Sequence, residues 1–104
     1  MAESAEEVLK ALAEPRRQQI LRLVRASPRS VGEIAEQVDI TQQAVSQHLQ
    51  VLKDAGLVAV RQDGTRRLYA IRPDGLESLD RFLAELWPVG LQRLKAAVEA
   101  SDQQ

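Results

Sequence analysis

The spacing of the apolar residues changes twice along this chain, and this change most constrains the fold. Up to Gly56 the apolar residues recur three and four positions apart, as they do on amphipathic helices. Residues 57–61 and 66–71 are rich in strand-forming residues, and they flank Asp63-Gly64, a pair that supplies the positive φ angles of tight hairpins. The helical spacing returns after Pro73. We therefore predict a mainly α-helical fold with one β-hairpin.

Length and composition fit a single globular domain. A chain of 104 residues that is 44% hydrophobic and 28% charged can form one compact core. Because only 3% of the residues are aromatic, we predict a core of Leu, Val, Ile and Ala. The lack of cysteine excludes disulfides and zinc–thiolate sites. No apolar run reaches the roughly 18 residues of a membrane helix, and the acidic start has no signal-peptide core. We expect a cytoplasmic protein with no membrane partner.

Start and stop signals divide the predicted domain, residues 1–104, into four parts. Ser30 and Glu33 fit a capping box, and Thr41 can cap the helix that Gly56 ends. Pro15 suits the first position of the second helix, whereas Pro88 should kink or restart the last one. The predicted parts are two helices at 4–27, a helix-turn-helix at 30–55, a wing hairpin at 57–72 and a C-terminal helix at 74–100.

The charges are distributed unevenly, although the net charge is only -1. Residues 15–31 contain five arginines and no acidic residue, and residues 42–72 contain five basic residues against two acidic ones. Acidic residues predominate at both ends of the chain. The near-neutral average therefore conceals two basic stretches that suit an anionic partner.

Two helices separated by a short turn and followed by a hairpin with a basic tip make a winged helix-turn-helix. The second of these helices has glutamines on its outer face, where exposed helices ordinarily carry Glu and Lys. Gln and Ser side chains can hydrogen-bond base edges in the major groove of double-stranded DNA, and wing arginines suit phosphate or minor-groove contacts. The predicted DNA-binding residues are Thr41, Gln42, Gln43, Ser46 and Gln47 on the helix, and Arg66 and Arg67 on the wing.

Several short segments carry a resemblance to a known family. They are LKALAEPRR from position 9, VSQHL from position 45, AGLV from position 55 and RLY from position 67. These segments are similar to the opening, the recognition helix and its exit, and the returning wing strand of the ArsR/SmtB family of bacterial transcriptional repressors. The resemblance covers residues 5–98. It implies a winged-helix homodimer that dimerises through its first and last helices, binds an operator and is released by an effector.

The chain departs from the family's metal-sensing pattern. Founding members bind metals through Cys near the recognition helix or through His and carboxylates on the terminal helix, whereas this chain has no Cys and no His in residues 73–100. The acidic residues that follow Pro73 are typical of a solvated helix face. We predict no metal site and no cofactor, which leaves a small organic molecule as the possible effector.

An enzymatic function has little support in the sequence. The single histidine, His48, lies between Val45 and Leu52 near the apolar stripe of its helix, which favours a structural role over a catalytic one. The chain also lacks a credible nucleophile–base pair and a glycine-rich phosphate loop. We therefore predict that the protein is not an enzyme.

The leucines of residues 76–98 are more numerous than one small domain can cover, which favours a homodimer. Two-fold symmetry then predicts a palindromic operator whose half-sites lie roughly 10 base pairs, or a multiple of that, apart. The predicted interface residues are Leu9, Leu12, Leu83, Leu86, Trp87, Leu91 and Leu94. An alternative is a winged-helix protein-interaction module without specific DNA binding, which the near-neutral charge allows.

Overall fold

The computed structural model describes residues 4–102, apart from the side chains of Pro88, Leu91 and Asp102. Its elements, in chain order, are α1 (Ala5–Leu12), α2 (Pro15–Ala26), α3 (Val31–Val38), α4 (Gln42–Asp54), β1 (Val58–Asp63), β2 (Arg66–Ile71), α5 (Glu77–Leu86) and α6 (Pro88–Asp102). The described chain is thus mostly helical with one antiparallel hairpin, which confirms the predicted fold class.

The helices of the first half begin at the expected capping residues. The Ser30 hydroxyl accepts a hydrogen bond from the Glu33 amide, and the Glu33 side chain accepts one from the Ser30 amide, which completes the predicted capping box. The Thr41 hydroxyl accepts from the Ala44 amide at 3.1 Å and so caps α4. Pro15 occupies the first turn of α2, as predicted.

The hairpin is longer than the sequence indicated. Asp63 pairs with Arg66 as the last residue of β1, so only Gly64 and Thr65 form the loop. Gly64 has a φ of 65°, whereas Asp63 keeps a strand conformation. The prediction that the Asp-Gly pair supplies the positive φ angles was therefore wrong for Asp63, because Gly64 alone meets the demand of a two-residue loop.

Backbone hydrogen bonds outside the two strands connect the hairpin to the helices. Arg29, between α2 and α3, forms an isolated antiparallel bridge with Tyr69 on β2. The Arg29 amide donates to the Tyr69 carbonyl at 3.0 Å, and the Tyr69 amide donates to the Arg29 carbonyl at 2.8 Å. These hydrogen bonds hold the wing beside the N-terminus of α3.

The C-terminal segment forms two helices. α5 ends at Leu86 and α6 begins at Pro88, so the predicted restart at Pro88 is confirmed. The predicted start at residue 74 was wrong, because a turn precedes the helix: the Gly75 amide donates to the Arg72 carbonyl at 3.1 Å, and α5 starts at Glu77. No helix within residues 4–102 has the length and apolarity needed to cross a membrane.

The core is built from aliphatic side chains of the first four helices, the hairpin and α5. The largest fully buried side chains are Ile20, Ile34, Leu49, Leu52, Val8, Val45 and Val58. Phe82 and Trp87 are exposed, and Tyr69 is only half-buried at the edge of the core. This arrangement confirms the predicted Leu, Val, Ile and Ala core and holds α4 against α3 and the hairpin.

Candidate nucleic-acid interface

One side of α4 is buried and the other is open. Val45, Leu49 and Leu52 are buried at helical spacing and fix the helix on the core. The five side chains predicted to contact DNA from this helix are all exposed, namely Thr41, Gln42, Gln43, Ser46 and Gln47. The structure therefore brings them together on one solvent-facing surface, which we call the glutamine face.

The glutamine face has little internal hydrogen bonding. Within the described part of the chain, the side chains of Gln43, Ser46 and Gln47 have no hydrogen-bond partner. The Thr41 hydroxyl is already engaged as the cap of α4. Gln50, at the far end of the helix, donates to Asp54 at 2.8 Å. The donors and acceptors available to a ligand are therefore concentrated in the first half of α4.

The two predicted wing arginines have different surroundings. Arg66 lies on the same face of β2 as the buried Leu68, and its guanidinium forms an ion pair with the Glu33 carboxylate at the start of α3. Arg67 lies on the opposite face, is exposed, and has no side-chain partner among residues 4–102. Arg67 is thus open to an anionic ligand. Arg66 could bind such a ligand only after its ion pair with Glu33 breaks.

The Glu33 carboxylate connects the wing to α3. Hydrogen bonds from the backbone and hydroxyl of Ser30 lower the pKa of Glu33, and the nearby Arg66 and Arg29 guanidinium groups lower it further. Glu33 is therefore ionised at neutral pH, when it can pair with Arg66. This contact was not anticipated from the sequence, because the two residues are 33 positions apart.

Two arginines of the first basic stretch have structural roles. The Arg17 side chain donates to the carbonyls of Ala11 at 2.7 Å and Lys10 at 3.1 Å, at the end of α1. The Arg16 guanidinium donates to the Val38 carbonyl at 3.1 Å, at the end of α3. Cations there satisfy unpaired carbonyls and favour the helix dipoles. The charge count alone therefore overstated the number of arginine side chains that are free to contact DNA.

His48 is half-buried beside this arginine cluster. Its Nδ1 lies 3.5 Å from the Arg17 guanidinium, between α4 and the start of α2. This position agrees with the structural role expected from the sequence. No group of three or more His, Cys, Asp or Glu side chains suited to a metal ion occurs within residues 4–102.

Carboxylates of the C-terminal segment take part in surface ion pairs. Asp74 accepts from Arg72 at 2.9 Å, and this hydrogen bond is the main cause of a lowered Asp74 pKa. Asp80 accepts from Lys95 at 2.9 Å and so connects α5 to α6. The neighbouring acidic residues Glu77 and Glu85 are exposed.

An apolar surface on the terminal helices lies apart from the glutamine face. Leu9, Leu86, Trp87 and Leu94 have exposed fractions of 45%, 52%, 60% and 61%. Leu12 and Leu83 are half-buried against the core, and the side chain of Leu91 lies outside the described residues. Phe82, Val89 and Val98 of the last two helices are also exposed. We call these exposed residues of α1, α5 and α6 the terminal apolar surface.

Comparisons with known proteins find that this chain is similar to transcriptional regulators. Residues 12–61 match a family described as a helix-turn-helix domain. The chain is 42% identical to the HTH-type transcriptional regulator Rv2034 of Mycobacterium tuberculosis, over 81% of this chain and 78% of that protein. It is 34% identical to the transcriptional activator HlyU of Vibrio cholerae, over 77% of this chain and 74% of that protein.

A solved structure with a similar fold comes from Mycobacterium bovis. It is the homodimeric winged helix-turn-helix DNA-binding domain of Mb0332, a possible ArsR-family transcriptional regulator. The TM-score is 0.63 at 34% sequence identity, and the match covers 94% of this chain and 77% of that one.

Proposed function

Because this chain belongs to the ArsR/SmtB family of winged helix-turn-helix transcriptional regulators, we propose that it acts as a homodimeric, sequence-specific repressor on a palindromic operator. DNA-binding regulation of transcription is the function of its relatives, which form a non-enzymatic class. The further parts of the proposal are the dimer, the operator symmetry, repression and the residues that read DNA.

The exposed glutamine face is the observation that carries the proposal. An α-helix fits the major groove, and a Gln side chain can form two hydrogen bonds with the N6/N7 edge of adenine. Gln43 and Gln47 are four positions apart on α4, so they lie on the same side of the helix. With Ser46 between them, they offer neutral donors and acceptors to base edges and no charge that would bind phosphate unspecifically.

Arg67 supports a wing contact with the DNA backbone or the minor groove. It lies two residues after the loop of the hairpin, and its side chain is exposed. We propose that Arg67 makes this contact in the complex and that Arg66 joins it after leaving Glu33. Phosphate contacts of this kind position the protein and make affinity depend on salt.

The terminal apolar surface supports the homodimer. Its leucines and Trp87 would be covered by the same surface of a second copy, as a two-fold symmetric interface requires. The similar domain from Mycobacterium bovis is described as homodimeric. We propose that α1, α5 and α6 form this interface, which would place two glutamine faces at fixed spacing on a palindromic site.

In this proposal the bound dimer represses transcription by occupying its operator. A dimer on a site that overlaps a promoter excludes RNA polymerase by its volume, and no additional activity is required. One relative is named an activator, so the direction of regulation is tested separately from DNA binding. We further propose that the regulator does not sense metals, since the chain has no cysteine and a single histidine, which lies beside Arg17.

The proposal is tested by selecting binding sites from random duplexes with the full chain. Affinity is then measured for the selected and the scrambled duplex at several salt concentrations. We expect a palindromic site, a preference of about a thousandfold and a negative log–log salt slope. Weak and equal binding to all duplexes would instead favour a winged-helix protein-interaction module.

A reporter gene tests the direction of regulation. The selected site is placed over the promoter, and expression is measured with and without the regulator. We expect lower expression in its presence, and no change when the site is scrambled. Higher expression from the intact site would contradict repression without contradicting DNA binding.

A further inference from the structure

A pocket of about 400 Å³ lies on the side of the hairpin base. Its walls come from four segments of the chain: Leu12 at the end of α1, Leu21 on α2, Leu57 just before β1, and the stretch from Ile71 to Leu76 that joins β2 to α5. The exposed surface of these walls is largely apolar. This volume falls within the range of pockets that bind small organic molecules.

Two arginines on the rim of the pocket have no acidic partner among the described residues. Arg22 and Arg25 are three positions apart on α2, both are exposed, and neither guanidinium has a hydrogen bond or ion pair in the described range 4–102. Arg72 also lines the pocket and is held in place by Asp74. None of the described residues that line this pocket is acidic. An apolar cavity with a positively charged rim is therefore complementary to an anion that has an apolar body.

DNA contacts by the wing do not account for these arginines. The pocket adjoins the Val58–Ile71 pair at the base of the hairpin, whereas Asp63 pairs with Arg66 at its tip. The two pairs are five residue steps apart along the strand, which corresponds to about 17 Å. The arginines at the base thus lie well away from the wing arginines, and Arg16 and Arg17 of the same helix already bind backbone carbonyls.

We propose that this pocket binds a small amphipathic organic anion, that is, a carboxylate or sulfonate on an apolar ring or short chain. The apolar body lies against Leu12, Leu21 and Ile71, and the anionic group contacts Arg22 and Arg25. The first contribution is burial of apolar surface, and the second is a pair of charge-assisted hydrogen bonds.

The pocket also joins parts of the molecule that have different proposed roles. Leu12 is the last residue of α1 and Leu76 directly precedes α5, two helices of the proposed dimer interface, and Ile71 belongs to the wing. A ligand that binds one arrangement of these elements more tightly shifts the population toward it and so changes affinity for the operator. This regulatory role rests on the proposed function, whereas ligand binding itself does not.

The binding test uses 8-anilinonaphthalene-1-sulfonate, an aromatic sulfonate whose fluorescence rises in apolar surroundings, and the full chain without DNA. N-phenyl-1-naphthylamine, which has the same rings and no charge, serves as the neutral probe. The test variant is Arg22→Gln with Arg25→Gln. The matched control, Arg61→Gln with Arg93→Gln, removes two exposed arginines that do not line the pocket and changes the net charge equally.

We expect saturable binding of the sulfonate and about tenfold weaker binding by the α2 variant, the scale of a lost charge-assisted hydrogen bond. The control variant should bind the sulfonate as the wild type does, and the neutral probe should not distinguish the three proteins. Unsaturable sulfonate binding, or equal affinity in the α2 variant, would overturn the proposal.

Backbone amide NMR shifts of the wild type locate the probe without any variant. The proposal requires sulfonate-induced shifts at Leu21, Ile71 and Leu76. Shifts confined to α6 would place the probe on the terminal apolar surface and would overturn the assignment. Because no DNA is present, failure of this experiment leaves the site-selection experiment intact, and the reverse also holds.

Discussion

The Arg66 guanidinium on the wing forms an ion pair with the Glu33 carboxylate in the first turn of α3. The same carboxylate accepts hydrogen bonds from the Ser30 amide at 3.1 Å and the Ser30 hydroxyl at 3.0 Å. One side chain therefore caps a helix of the helix-turn-helix and also holds an arginine of the wing. DNA phosphates and Glu33 would compete for Arg66.

Replacing Glu33 with Gln should strengthen unspecific DNA binding. The variant Glu33→Gln keeps an acceptor for the Ser30 amide but removes the charge that holds Arg66. We expect affinity for a random duplex to rise about threefold, the scale of one exposed ion pair. The control Glu36→Gln removes a charge from an exposed residue of the same helix. If both variants strengthen binding equally, net charge and not release of Arg66 explains the effect.

Glu33 should also make stability depend on pH in the acid range. Its pKa is lowered in the folded protein, chiefly by the Ser30 backbone hydrogen bond, so the ionised form stabilises the fold. This contribution is complete above the ordinary glutamate pKa of about 4.3 and is lost as pH falls through the lowered value. We expect the difference in Tm between wild type and Glu33→Gln to shrink from pH 7 to pH 3. A difference that is constant over this range would contradict the role of ionised Glu33.

Gly75 is required by a close backbone approach. A Cβ at this position would lie 2.8 Å from the Gly56 carbonyl oxygen and 3.2 Å from the Leu57 Cα. We expect Gly75→Ala to lower the free energy of unfolding by about 1–3 kcal/mol, as overpacking does. The matched control is Gly90→Ala in α6, where the nearest atom, the Trp87 Cβ, is 3.8 Å away. Chemical denaturation of both variants tests this, and equal stability of the two would contradict the steric argument.

The terminal apolar surface should determine the oligomeric state. Trp87→Ser with Leu94→Ser removes two large exposed apolar side chains, and we expect the dimer Kd to rise about a hundredfold or more, as loss of interface anchors does. Val51→Ser is the control, since Val51 is an exposed apolar residue of α4 outside this surface. Sedimentation velocity over a range of protein concentrations measures the effect. A wild-type protein that is monomeric throughout would contradict the proposed homodimer.

Local signals in the sequence were sufficient for most of the fold. The Ser30–Glu33 capping box, the Thr41 cap and the break at Pro88 each depend on residues close together in the chain. The glutamine face also followed from helical spacing, because Val45, Leu49 and Leu52 determine which side of α4 is buried. Such features depend on residues within a few positions of each other, and their spacing can be read from the sequence.

Contacts between residues far apart in the chain could not be predicted from local sequence patterns. The bridge between Arg29 and Tyr69 involves one residue on the helical side, too short a segment to produce a strand pattern. Arg16 binds a carbonyl 22 positions away, so counting charges could not separate it from the exposed Arg22 and Arg25. The apolar pocket likewise combines side chains from four separate segments.

The most direct test of the central claim removes the glutamines that face the DNA in the proposed complex. Gln43→Ala with Gln47→Ala is compared with Gln50→Ala, which removes a glutamine already bonded to Asp54. Binding of each protein to the selected and the scrambled duplex is measured at several salt concentrations. We predict that the double variant loses at least about tenfold in discrimination with an unchanged salt slope, while the Gln50 variant matches the wild type. Full discrimination by the double variant would contradict the claim that this face of α4 reads the operator.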